Sequence, residues 1–156
     1  RSLMIKDGRP FVLEYNCRFG DPEAQAVLIR LGEDLAPLLM EAANGELKER
    51  ELRWDPRTAL CVVMASKGYP GDYEKGFPIE GLDEVEELSD VRVFMAGVAT
   101  DPDDGQLITA GGRVLGVTAL GDGISDAQVK AYDAAGKISW DGAFYRKDIG
   151  DKGLKR

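Results

Sequence analysis

Glu14, Asn16 and Arg18 occupy alternate positions of the run FVLEYNCRF at 11–19. Alternation is the signature of a strand. It predicts a strand over 11–18 with Phe11, Leu13, Tyr15 and Cys17 on one face and Val12, Glu14, Asn16 and Arg18 on the other. A carboxylate beside an amide oxygen suits a hard cation such as Mg²⁺. A guanidinium next to them suits a phosphate, which it grips with two parallel bonds. An antiparallel strand with one wetted face alternates in the same way, so spacing alone leaves both readings open. The next residues favour the chemical one. Gly20 breaks the strand, Asp21 can cap a helix and Pro22 fits a first helical turn. A polar strand end running into a helix start suits an anion.

Composition narrows the classes. The chain has 156 residues, 44% of them hydrophobic, enough for one core domain or a small domain with part of another. A formal net charge of −8 argues against a nucleic-acid partner. No apolar run approaches the roughly 18–20 residues of a membrane span, and the first ten residues have no signal-peptide core. No initiator Met opens the chain, so it is expected to start inside a longer protein. Histidine is absent, which removes Ser-His-Asp and Cys-His catalysis and histidine zinc sites. Cys17 and Cys61 lie in apolar, strand-like settings and read as buried free thiols of a reducing cytoplasm.

Other elements must position these residues. Ser2–Ile5 reads as a strand, joined by an Asp7-Gly8 turn to the strand at 11–18. Pro22 to about Leu31 reads as a helix. A second helix carries Leu35, Leu38, Leu39 and Ala42 on one stripe, with Asp34 as its N-cap and Asn44-Gly45 as its stop. The polar stretch 46–57 marks a domain boundary. Beyond it, Thr58–Ala65, Val91–Val98 and Gly112–Leu120 read as strands, and Asp101–Gly105 as a turn. Ser125–Ala135 reads as a helix with a Ser125/Gln128 capping box, an Ile124/Val129 staple and Gly136 as its end. The expected fold class is α+β. Residues 1–57 precede a small antiparallel, barrel-like domain at 58–156 with at least one helix.

The run EYNCRFGDPEAQ at 14–25 closely resembles the magnesium- and phosphate-binding motif of the glycinamide ribonucleotide synthetase family, ATP-grasp ligases of purine synthesis. The resemblance continues in SKGYPGDYEKG at 66–76, TAGGRVLGVTALG at 109–121 and FYRKDIG at 144–150, so it covers nearly the whole chain in order. It implies that 1–57 is the C-terminal segment of an ATP-grasp domain and 58–156 the family's C-terminal domain. It also implies the joining of glycine to 5-phosphoribosylamine, driven by ATP through a glycyl phosphate. Glu14 and Asn16 match the family's Mg²⁺ (or Mn²⁺) ligands, and Arg18 the arginine that steadies the transferring phosphoryl group. Such chemistry needs positioning and charge neutralisation more than acid–base groups.

The remaining candidates each carry two readings. Asp21 and Glu23 are either acids favoured at a helix start or partners for a substrate amine. Gly111 and Gly112 let the backbone approach a ligand, and Arg113 could bind the 5′-phosphate of phosphoribosylamine. The alternative there is a β-bulge with a solvent-facing arginine. Lys67 reads as a solvated loop lysine, and Arg146 with Asp148 as a structural pair. Two features depart from the family pattern. Met95 stands where the family often has His, and Ser2–Ile5 supplies no carboxylate. The family's glycine-rich loop, lysines and adenine pocket precede the residues matched here, so the isolated chain is expected neither to bind ATP tightly nor to turn over. The resemblance implies a cytoplasmic enzyme, a monomer or part of a multifunctional purine-synthesis protein. Two alternatives stay open: another ATP-grasp ligase or carboxylase of purine synthesis, and a non-catalytic barrel module bearing biotin or lipoate.

Overall fold

The computed structural model describes residues 2–15 and 17–155. Its first elements are the strands β1 (Ser2–Lys6) and β2 (Arg9–Glu14), an antiparallel hairpin turning at Asp7 and Gly8, both at positive φ. β2 stops at Glu14, so Arg18 lies beyond the strand that was expected to carry it. The last pair of the ladder is Ser2↔Glu14. The alternation also does not produce one buried face. Every residue of β2 is exposed, as are Leu3, Met4 and Ile5. Cys17 is exposed too, contrary to expectation.

Two helices follow. α1 (Glu23–Leu28) is shorter than its sequence suggested, and Asp21 does not cap it. α2 (Leu35–Ala43) is capped as expected: Asp34 accepts a hydrogen bond from the Ala36 amide at 3.0 Å, and Gly45 at φ 71° ends it.

The core sheet has four strands in the order β4-β7-β3-β8, all antiparallel. They are β3 (Thr58–Ser66), β4 (Val91–Met95), β7 (Arg113–Gly121) and β8 (Ala143–Tyr145). The short α3 (Leu82–Glu86) precedes β4. A separate hairpin, β5 (Val98–Thr100) with β6 (Leu107–Thr109), turns at Asp101–Gly105, where the Asp101 carboxylate accepts the Asp103 amide. Ala96 and Gly97 therefore break the single strand expected over 91–98.

Register assigns the faces. Leu60, Val62 and Met64 pair with Ala119, Val117 and Leu115, and these six share the buried core with Ala127, Ala131, Ala134 and Ala135 of α4 (Ile124–Ala135). The alternate residues Cys61, Gly116 and Thr118 face the other way, where Gln25 of α1 lies against Gly116. With a helix on each face, the sheet stays open. Among the described residues there is no closed barrel, which corrects that expectation, because β4 and β8 do not pair with each other.

The start of α4 also differs from its sequence reading. Gly123 is the N-cap, and among the described residues no side chain caps the helix. Gln128 instead donates to the Ile149 carbonyl and to Asp151, each at 2.8 Å, tying α4 to the turn before α5 (Asp151–Leu154). Ile124 lies against Gly150 and Gly153, while Val129 is exposed. Among the described residues, no helix is long and apolar enough to cross a membrane.

Candidate active site

Glu14 ends β2 and is exposed. Asn16, its expected partner, lies outside the described residues. Arg18 is exposed, and its Nη1 donates to the Phe19 carbonyl at 2.9 Å. The chain then turns through Gly20 into α1, with the Ala24 amide donating to the Gly20 carbonyl at 2.9 Å. The Glu23 carboxylate folds over Gly20, into space that a Cβ there would fill.

Asp21 is engaged elsewhere. Its carboxylate accepts from Arg113 Nη2 at 3.0 Å, and its backbone carbonyl accepts from Arg113 Nη1 at 3.2 Å. Gln25 Nε2 donates to the same carboxylate at 3.3 Å. The structure thus brings together two residues that sequence reasoning had nominated separately, 92 positions apart.

Arg113 stands on a firm base. It opens β7 opposite Ala65, where the register with β3 slips, as in the β-bulge that was one of the two readings of this segment. Gly111 is in backbone contact with Gly97, and Gly112 lies beneath the Tyr69 and Tyr73 rings. A side chain on Gly97 or Gly112 would collide with these neighbours. Ser66 holds both carbonyls: its Oγ donates to Gly111 at 3.0 Å and its amide to Gly112 at 2.8 Å. The room left by Gly111 and Gly112 is thus taken up by packing within the chain.

The loop after β3 also borders an open cleft of about 520 Å³, lined by Ser66, Lys67, Asp72, Tyr73, Phe77 and Asp141 among others. Lys67 stands at its edge, a position that periodicity could not give. The motif at 66–76 was the available signal. On the other side of the sheet, Cys61 is half-buried, and burial pushes its thiol pKa up. Arg146 and Asp148 do form the expected pair, at 2.6 Å.

A family model described as phosphoribosylglycinamide synthetase, C domain, matches residues 59–152. The chain belongs to the phosphoribosylglycinamide synthetase family. Relatives named phosphoribosylamine–glycine ligase agree along its whole length. That of Rhodopirellula baltica is 52% identical over 98% of this chain, and that of Pseudomonas aeruginosa 52% over 99%. The chain spans about a third of their length, 35% and 36% respectively. A crystal structure of phosphoribosylamine–glycine ligase from Thermotoga maritima superposes with a TM-score of 0.77 at 38% identity, covering 94% of this chain and 35% of that one. The open antiparallel sheet therefore belongs to a phosphoribosylglycinamide synthetase C domain, and a biotin- or lipoate-type barrel is set aside.

A divalent cation is implied by the family. Among the described residues, no group of three or more Asp, Glu, His or Cys side chains could hold a metal. Glu14 with Asn16 offers a carboxylate and an amide oxygen. That hard, sparse donor set fits a cation that keeps waters and shares phosphate oxygens, as Mg²⁺ does.

Proposed function

We propose that this chain is the C-terminal part of an ATP-dependent ligase that joins glycine to 5-phosphoribosylamine, giving glycinamide ribonucleotide, ADP and phosphate. The observation that carries the reading is 52% identity to a phosphoribosylamine–glycine ligase over 98% of the chain. In this reading, residues 1–57 close an ATP-grasp domain and 58–156 form the C domain. The β1–β2 hairpin, exposed on both faces, supports a surface completed by the rest of such a domain.

A glycine carboxylate oxygen attacks the γ-phosphorus of ATP, ADP leaves, and glycyl phosphate forms. The amine of phosphoribosylamine then attacks the acyl carbon, and inorganic phosphate leaves with that oxygen. Arg18 steadies the charge on the transferring phosphoryl group. Glu14 and Asn16 would hold Mg²⁺ or Mn²⁺, which when bound neutralises phosphate charge. Glu23 offers a carboxylate to a substrate amine, close in sequence to Asp21, which holds the Arg113 that follows Gly111 and Gly112. Such an enzyme works in the cytoplasm. The 156 residues alone carry only one wall of the site and do not turn over.

Supplying the full-length enzyme with glycine or with bicarbonate tests the reading against a carboxylase. ADP release that requires glycine and phosphoribosylamine is expected. Release driven by bicarbonate would overturn it.

A further inference from the structure

The Asp21–Arg113 pair does more than join two charges. One guanidinium bonds the carboxylate and the main-chain carbonyl of the same residue. A contact to the carboxylate alone would leave the Asp21 backbone free to rotate. Adding the carbonyl fixes where the backbone stands and which way it faces.

The anchor is built to stay in place. The Arg113 carbonyl accepts the Gly97 amide at 2.9 Å, and the glycines before it are held by Ser66, Gly97, Tyr69 and Tyr73. The segment it grips lies between the expected phosphoryl-binding arginine and α1. Arg18 and Asp21 are three residues apart, so their Cα atoms lie within about 11 Å of one another. A second tie comes from Gln25, which bonds the Asp21 carboxylate and rests over Gly116 of β7. Its Oε1 is buried without a hydrogen-bond partner among the described residues, so that side chain is placed at a cost. The hairpin that carries Glu14, by contrast, is exposed on every residue of β2.

We propose that Arg113 is a positioning residue of the ligase, which acts on the reaction through Asp21 by fixing the segment from Arg18 to Asp21 against the C domain. The inference rests on the ligase reading and refines Arg113 within it. A guanidinium that spends two donors on Asp21, with the carboxylate at 3.0 Å, has its charge already compensated. Its effect on phosphoryl transfer then comes from geometry, and a displacement of about 1 Å at a reacting group can cost on the order of 100-fold in rate.

A double-mutant cycle in the full-length enzyme tests this. Asp21→Asn and Arg113→Met are each expected to lower kcat roughly 10- to 100-fold, with KM for phosphoribosylamine changed less than about twofold. The double variant should be no slower than the slower single one, and Arg113→Lys should recover part of kcat. Hydrogen exchange of the amides at 18–25 should rise in both single variants. Effects that multiply in the double variant, or a KM that rises tenfold in Arg113→Met alone, would overturn the proposal. If the wild-type enzyme shows no glycine-dependent ADP release, the ligase reading fails separately. Exchange at 18–25 then decides on the clasp, and unchanged exchange in the variants rejects it. Both side chains are partly exposed, and Asp21→Asn keeps the shape of its side chain, so folding is not the quantity read.

Discussion

Arg57 reaches 33 positions along the sequence to bond Asp90 at 2.6 Å, and so ties the polar segment before β3 to the start of β4. The same guanidinium bonds Asp55 at 2.7 Å, and Asp90 also accepts from Lys130 of α4 at 3.0 Å. Lys130 in turn meets Asp126 at 2.9 Å. One connected set of charges thus spans linker, sheet and helix.

Acid should loosen this set first. The Arg57 guanidinium lowers the Asp55 pKa to about 2, while Lys130, then Arg57, holds Asp90 below its ordinary 3.8. A carboxyl depressed on folding contributes stability that is present above its unfolded pKa and lost as pH falls through the folded one. The melting temperature should therefore fall as pH drops from about 4 towards 2. Asp90→Asn should lower it at neutral pH and flatten that acid limb, measured by calorimetry across pH. An unchanged acid limb would mean that Asp90 contributes nothing to it. Lys130 runs the other way. Asp126, then Asp90, raises its pKa above 10.5, so its contribution is lost only in strong alkali.

Gly97 should not accept a side chain. A Cβ there would lie 2.6 Å from the Arg113 carbonyl oxygen and 2.6 Å from the Gly111 Cα, both backbone atoms. Gly97→Ala is expected to cost about 1–3 kcal/mol in urea unfolding, the usual range for overpacking. A loss below a few tenths would show that the two segments separate easily.

Met64 fills the centre of the sheet's buried face with no exposed surface. Met64→Ala should cost about 2–5 kcal/mol by the same measurement, from lost burial and the cavity left behind. Met64→Leu, which keeps the volume, should cost less than about 1.5 kcal/mol.

The two thiols should separate kinetically. Cys17 is exposed, whereas Cys61 is half-buried with its thiol pKa pushed up by burial. Thiolate is the reactive form, so iodoacetamide at neutral pH should label Cys17 first. Peptide mapping with equal labelling of both would contradict the placement of Cys61 beneath α1.

What could be read in the sequence was what neighbours along the chain decide. Asp34 caps α2 and Asn44-Gly45 stops it because the groups involved lie within a turn of each other. The Asp101 turn is local in the same sense, and the apolar runs of β3 and β7 announce strands by composition alone. The failures are all long-range. Gln128 leaves its expected box because Ile149 and Asp151 come within reach from 21 and 23 positions away. Asp21 leaves the helix cap for Arg113. Whether four strands close or stay open depends on which edges meet, and no residue pattern within one strand contains that. The candidate site was legible chiefly as a resemblance, since alternation by itself also describes a wetted strand.

The ligase reading turns on the fate of one oxygen atom. Glycine labelled with ¹⁸O in its carboxylate, supplied to the full-length enzyme with Mg-ATP and phosphoribosylamine, should transfer one labelled oxygen to inorganic phosphate for each glycinamide ribonucleotide formed. Unlabelled phosphate, or ADP release that does not depend on glycine, would contradict it.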